Sequence, residues 1–131
     1  MEILKQQTQP LNGSQGTTAQ SSIKDQFGRT FNYLRIAVNE HCNLRCIYCM
    51  PEEGIHFRTE DKLLKTEEIC RIIEIMSGMG VSKIRFTGGE PLLRKDLPEL
   101  IQFAKDTDGV ESIHLTTNGL LLDKNIKKLE D

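Results

Sequence analysis

Residues 31–49 read FNYLRIAVNEHCNLRCIYC. The first half alternates: Leu34, Ile36 and Val38 fall on one side, and Tyr33, Arg35, Ala37 and Asn39 on the other. That is the period of a β-strand with one apolar face. The second half sets Cys42, Cys46 and Cys49 on the loop after the strand, at spacing C-x3-C-x2-C. The fourth cysteine, Cys70, lies well downstream.

Working outward, MPEEG (50–54) turns the chain. A helix is expected next, capped by Thr66, with Glu67 and Glu68 favourable in its first turn. Ile69, Ile72, Ile73 and Met76 make its apolar stripe, and Gly78 and Gly80 end it. VSKIRFT (81–87) reads as a second strand, TGGEP (87–91) as a turn, and 96–106 as a second helix. ESIHLTT (111–117) is a third strand, NG a turn, and DKNIKKLED (123–131) the opening of a third helix. Strands alternating with helices imply an α/β fold whose parallel strands are joined by right-handed crossovers.

Upstream, QQTQPLNGSQGTTAQSS (6–22) is rich in Gln, Ser, Thr and Gly. It carries too little apolar area to offset its ordering entropy, so residues 1–24 are expected to be a disordered tail and 25–131 the folded part. The 131 residues carry a net charge of −2, so no basic footprint points to nucleic acid. No apolar run approaches the roughly 20 residues of a membrane span. The N-terminus does not read as a secretory signal, and cysteines without one suggest a reducing compartment.

Each strand has one apolar and one polar face. Tyr33, Arg35 and Asn39, then Lys83, Arg85 and Thr87, then Ser112, His114 and Thr116 share the polar side. One reading is a half-solvated sheet. The other is the inner wall of an open barrel that binds a polar, anionic ligand, with Arg35, Lys83 and Arg85 as its positive charges.

The cysteines also admit two readings. Zinc would need a fourth ligand, from His41 or His56. A 4Fe–4S cluster held by three thiolates would keep one iron open for a substrate or cofactor. Cys70 sits inside a helix and reads as an inert, buried thiol.

A C-x3-C-x2-C loop after a first strand, with Tyr48 before its last cysteine and TGGEP after a second strand, resembles the radical S-adenosylmethionine (SAM) superfamily. DQFGRTFNYLRIAVNEHCNLRCIYCMPEEG (25–54) and KIRFTGGEPLLRKDL (83–97) are more closely similar to its GTP 3′,8-cyclases of molybdenum-cofactor biosynthesis. The resemblance runs from about residue 25 to the end. It implies a partial TIM-type (βα) barrel, with about three of six strand–helix units in this chain. A chain shortened in this way is expected to be an N-terminal fragment, or the product of a truncated reading frame. No cysteine follows Cys70, so the second cluster that the resemblance implies has no ligands here.

The resemblance also implies the chemistry. Cys42, Cys46 and Cys49 would hold a 4Fe–4S cluster, and SAM would bind its open iron with help from Tyr48, Gly88, Gly89 and Glu90. One electron would cleave SAM to a 5′-deoxyadenosyl radical, which would take hydrogen from the ribose of GTP and so join C3′ to C8. Arg35, Lys83, Arg85 and Thr116 would contact GTP. A reductant, a downstream pterin-synthesis enzyme and a homodimer partner are implied, with a cytoplasmic location, or a mitochondrial one in a eukaryote. Another radical SAM activity and a non-catalytic metal-binding module are the alternatives. Two residues have plainer readings beside these: Glu90 as a cap for the segment after it, and His114 as a wall residue without chemistry.

Overall fold

The computed structural model describes residues 22–49, 51 and 53–130. Of the expected tail, residues 1–21 lie outside the described residues. Its end is a strand: β1 (Ile23–Lys24) pairs antiparallel with β2 (Thr30–Phe31). The turn between them closes on Asp25, whose carboxylate accepts the backbone N–H groups of Phe27 and Arg29.

The main sheet is parallel, with β4 (Lys83–Thr87) between β3 (Tyr33–Ala37) and β5 (Ser112–Leu115). Helix α1 (Thr66–Gly78) joins β3 to β4, α2 (Leu97–Asp106) joins β4 to β5, and α3 (Leu122–Leu129) follows β5. The expected mixed α/β order is therefore present. The strands are shorter than the sequence pattern suggested, whereas α1 begins at Thr66 and α3 at Leu122, each one residue earlier than expected.

The strand parity holds. Ile36, Val38, Ile84 and Phe86 are buried and pack with Ile69 and Ile73 of α1 and Leu97, Leu100 and Ala104 of α2. These helical positions recur at three- and four-residue steps, which puts one face of each helix on the sheet. The register aligns Arg35 with Arg85 and Arg85 with His114, so the polar side chains form a row across the opposite face. Both helices lie on the apolar side, and Arg35, Lys83, His114 and Thr116 remain exposed.

Helix α1 does not start as expected. Its N-cap is Lys65, whose backbone N–H is accepted by Glu68 at 2.7 Å. The Thr66 hydroxyl instead donates to Asp96, just before α2. Arg94 grips the same carboxylate through Nε (2.9 Å) and Nη2 (3.0 Å), and its Nη1 donates to the carbonyls of Val38 and Leu64. One guanidinium thus ties the end of β3 and the starts of both helices together.

The hydrogen bond from Arg94 holds the Asp96 carboxyl below its ordinary range, against an opposing push from burial. An unfolded aspartate titrates at about 3.9. With the folded pKa below that value, the stabilisation is fully present above it and is lost as pH falls through the depressed folded pKa. Asp96→Asn is expected to cost about 1–2 kcal/mol at neutral pH and to flatten the acid limb of stability. Urea midpoints across the acid range check both. Among the described residues no helix is long and apolar enough to cross a membrane.

Candidate functional site

Parallel strands gather their following loops at one edge of a sheet, where ligands of open α/β folds bind. Here that edge carries the cysteine loop after β3, the Gly88–Gly89 turn after β4, and residues 116–119 after β5.

The turn is laid directly on the chain entering the cysteine loop. Val38 N–H donates to Thr87 O at 2.8 Å, Gly89 N–H to Asn39 O at 3.1 Å, and Glu90 N–H to His41 O at 2.7 Å. The Asn39 amide closes the contact by donating to Glu90 O at 3.0 Å. Such close approach requires the two glycines. A Cβ on Gly88 would lie 2.5 Å from Asn39 O, and one on Gly89 2.3 Å from His41 O. Gly88 also has φ +148°, which side chains rarely adopt. The pair therefore does more than turn the chain: it fixes the cysteine loop beside the end of β4.

Glu90 extends the tie to β5. Its side chain is 0% exposed. It accepts Leu92 N–H at 3.0 Å, the Thr117 hydroxyl at 2.7 Å and Asn118 N–H at 2.8 Å. Glu90 thus caps the short turn of helix at Pro91–Leu93, and it also joins the ends of β4 and β5.

The three loop cysteines are free thiols. Cys49 N–H donates to Cys46 O at 3.0 Å, making a tight turn. Tyr48 is 90% exposed and sits beside both. The hydrogen bond and charge of Cys49, then those of Cys46, hold its phenol above the ordinary range. Cys42 Sγ accepts Leu44 N–H at 3.4 Å. Phe57 backs the loop: its ring lies 4.9 Å from that of His41 and 5.6 Å beneath the Arg45 guanidinium.

Among the described residues, no three His, Cys, Asp or Glu side chains converge closely enough to hold one metal ion. Zinc's ligands must meet at a single ion. Thiolates of an iron–sulfur cluster bind separate irons and can stand further apart. The donor set fits the cluster: three thiols on one loop, Cys49 exposed and Cys42 and Cys46 half-buried, with Tyr48 between Cys46 and Cys49 and the glycine turn packed against the loop's entry. Cys70 stands apart, its thiol pushed up first by burial and then by the carboxylates of Glu99, Glu67 and Glu74.

The basic row is also organised. Arg85 donates through Nε to the Tyr33 hydroxyl at 2.5 Å and through Nη1 to Thr116 Oγ1 at 3.1 Å. Desolvation pushes the Tyr33 phenol up, but hydrogen bonds and charges from Arg85 and Arg35 outweigh it and hold it low. Tyr33, which sequence reasoning placed on this face without a role, therefore accepts from Arg85, and Arg35 also holds its phenol low. Strand parity put it there; the partnership is a diagonal side-chain contact, since the register sets Tyr33 opposite Lys83. Lys83 and His114 lie exposed on the same face. A cavity of about 680 Å³ opens elsewhere, beside the N-terminus of α1 and Arg94; it is lined by His41, the alternative zinc ligand, and by none of the residues expected to hold the cluster, SAM or GTP.

The chain is similar to the GTP 3′,8-cyclase of Lactiplantibacillus plantarum, at 47% identity over 83% of this chain and 33% of the relative. It is 49% identical to that of Chlorobaculum tepidum, over 82% of this chain and 32% of the relative. It is 50% identical to the molybdenum cofactor biosynthesis protein 1 of Dictyostelium discoideum, over 82% of this chain and 17% of the relative. The chain thus spans about a third of these relatives' length, or less. The family model of the radical SAM superfamily matches residues 36–131, from β3 through the cysteine loop and the glycine turn to the end. With that loop and turn packed against each other at one sheet edge, the chain belongs to the radical SAM superfamily.

Proposed function

We propose that this chain is the cluster- and SAM-binding portion of a GTP 3′,8-cyclase acting in molybdenum-cofactor biosynthesis. The observation that carries the reading is the direct packing of the three-cysteine loop on the Gly88–Gly89 turn, beside an open face with a row of basic side chains. The three units β3–α1, β4–α2 and β5–α3 would be the first half of a six-unit partial barrel. Its open polar face would then look inward.

Cys42, Cys46 and Cys49 would hold the 4Fe–4S cluster, and Tyr48 with the backbone of Gly88 and Gly89 would hold SAM. The cluster, when bound, supplies the one-electron reduction of SAM that starts radical chemistry on GTP. The chain's own residues bind and orient. Glu90 is too deeply buried to touch a ligand directly, so its part is to keep the glycine turn and the end of β5 in place. Arg35, Arg85 and Lys83 would take the triphosphate. Tyr33 and Thr116 hold the Arg85 guanidinium at two points before any ligand arrives, which lowers the ordering cost of binding. A reductant would supply the electron, and the product would pass to a pterin-forming enzyme in the cytoplasm, or in mitochondria of a eukaryote.

The test is GTP binding to the chain by calorimetry. Arg85→Ala is expected to weaken it about tenfold or more, the value of a lost charge-assisted hydrogen bond. Rising salt is expected to weaken the unmodified chain too. Binding indifferent to both would contradict the assignment of this face to GTP.

A further inference from the structure

We infer that Asn118 is a positioning residue for the Cys42 sulfur and raises the reduction potential of the cluster bound there; this rests on the function proposed above. Asn118 follows β5, yet its side chain reaches the cysteine loop. Its amide Nδ2 donates to Asn43 Oδ1 at 2.8 Å and lies 3.9 Å from Cys42 Sγ, at the long end of a hydrogen bond to sulfur. The orientation of the amide is fixed by its other end, because Oδ1 accepts Leu120 N–H at 3.1 Å. Turning the amide over would set an N–H against that N–H and an oxygen against Asn43 Oδ1. The residue's backbone is held as well, by the 2.8 Å bond from Asn118 N–H to the buried Glu90 carboxyl.

Among the described residues Cys42 thus has two donors, the Leu44 backbone N–H and the Asn118 amide. The first belongs to the loop itself and the second arrives from the segment after β5. An N–H pointing at a ligating sulfur stabilises the extra negative charge of a reduced cluster more than it stabilises the oxidised one. The tuned step is a one-electron reduction by an external low-potential donor. No bond at Cys42 forms or breaks. The same contact links Cys42 to the segment after β5, whose Thr116 accepts from Arg85 on the basic face.

The experiment is a redox titration, followed by electron paramagnetic resonance, of the 131-residue chain reconstituted anaerobically with iron and sulfide. Unmodified chain, Asn118→Ala and Asn118→Asp are compared. Both variants lose the donor, and the aspartate keeps an acceptor for Leu120 N–H should the alanine fail to fold. The expected result is a more negative midpoint in each, with the reduced fraction at a fixed donor potential falling on the order of tenfold, about 59 mV. A purely structural role would lower cluster content and leave the midpoint where it was. Variants that load the cluster with an unchanged midpoint would overturn the role of Asn118 and leave the proposed function standing. An unmodified chain that takes up no cluster would overturn the proposed function, and this inference with it.

Discussion

Replacing any one of Cys42, Cys46 or Cys49 with alanine is expected to abolish cluster uptake, while Cys70→Ala leaves it intact. The unmodified chain, reconstituted without oxygen, is expected to carry about four irons and four sulfides. Each loop variant should fall to background, because with only three thiolates the cluster has no spare protein ligand. Cys70 lies within α1, packed against the core, with burial and three acidic neighbours keeping its thiol protonated. Its loss should cost no more than about 1 kcal/mol of packing. Iron and acid-labile sulfide analysis checks the set. Retained cluster in a loop variant, or zinc without sulfide in the unmodified chain, would contradict the assignment of these three ligands.

Glu90→Ala is expected to be the most destabilising single change at the sheet edge, at about 3–5 kcal/mol. The side chain is fully buried and receives three donors from two separate segments. Alanine leaves Leu92 N–H, Asn118 N–H and the Thr117 hydroxyl without their acceptor. Glu90→Gln should cost less, about 1–2 kcal/mol. Its oxygen can still serve Leu92 and Thr117, which share Oε1, while its amide N–H opposes Asn118 N–H. Urea unfolding of the three chains gives the ranking. A Glu90→Ala midpoint close to that of the unmodified chain would show that the carboxyl is dispensable.

Much of this fold was legible in short stretches. YLRIA and KIRFT alternate strictly, because one face of the sheet packs on helices and the other does not. That contrast put Arg35, Lys83, Arg85 and Thr116 on one face before any coordinates. The cysteine loop was legible through spacing, and the glycine turn through its own two residues. What escaped was contact between distant segments. Thr66 looked like a cap because of its type and place, but Asp96, brought beside it by the crossover, takes its hydroxyl. Glu90 looked like a cofactor contact or a local cap, and its partners at Thr117 and Asn118 are set by the meeting of β4 and β5 loops. The need for glycine at 88 and 89 comes from the backbone of residues 39–41, which no local rule reveals. Ile23–Lys24 sat at the end of a polar stretch too short to show a period, and its pairing depends on a turn built around Asp25.

In the proposed function the cysteine loop and the glycine turn form one site, with the cluster's open position reserved for SAM. The most direct test is electron paramagnetic resonance of the reconstituted, reduced chain, recorded with and without SAM. A 4Fe–4S signal that shifts when SAM is added is the expected result. A signal identical in both samples, or no cluster signal at all, would contradict it.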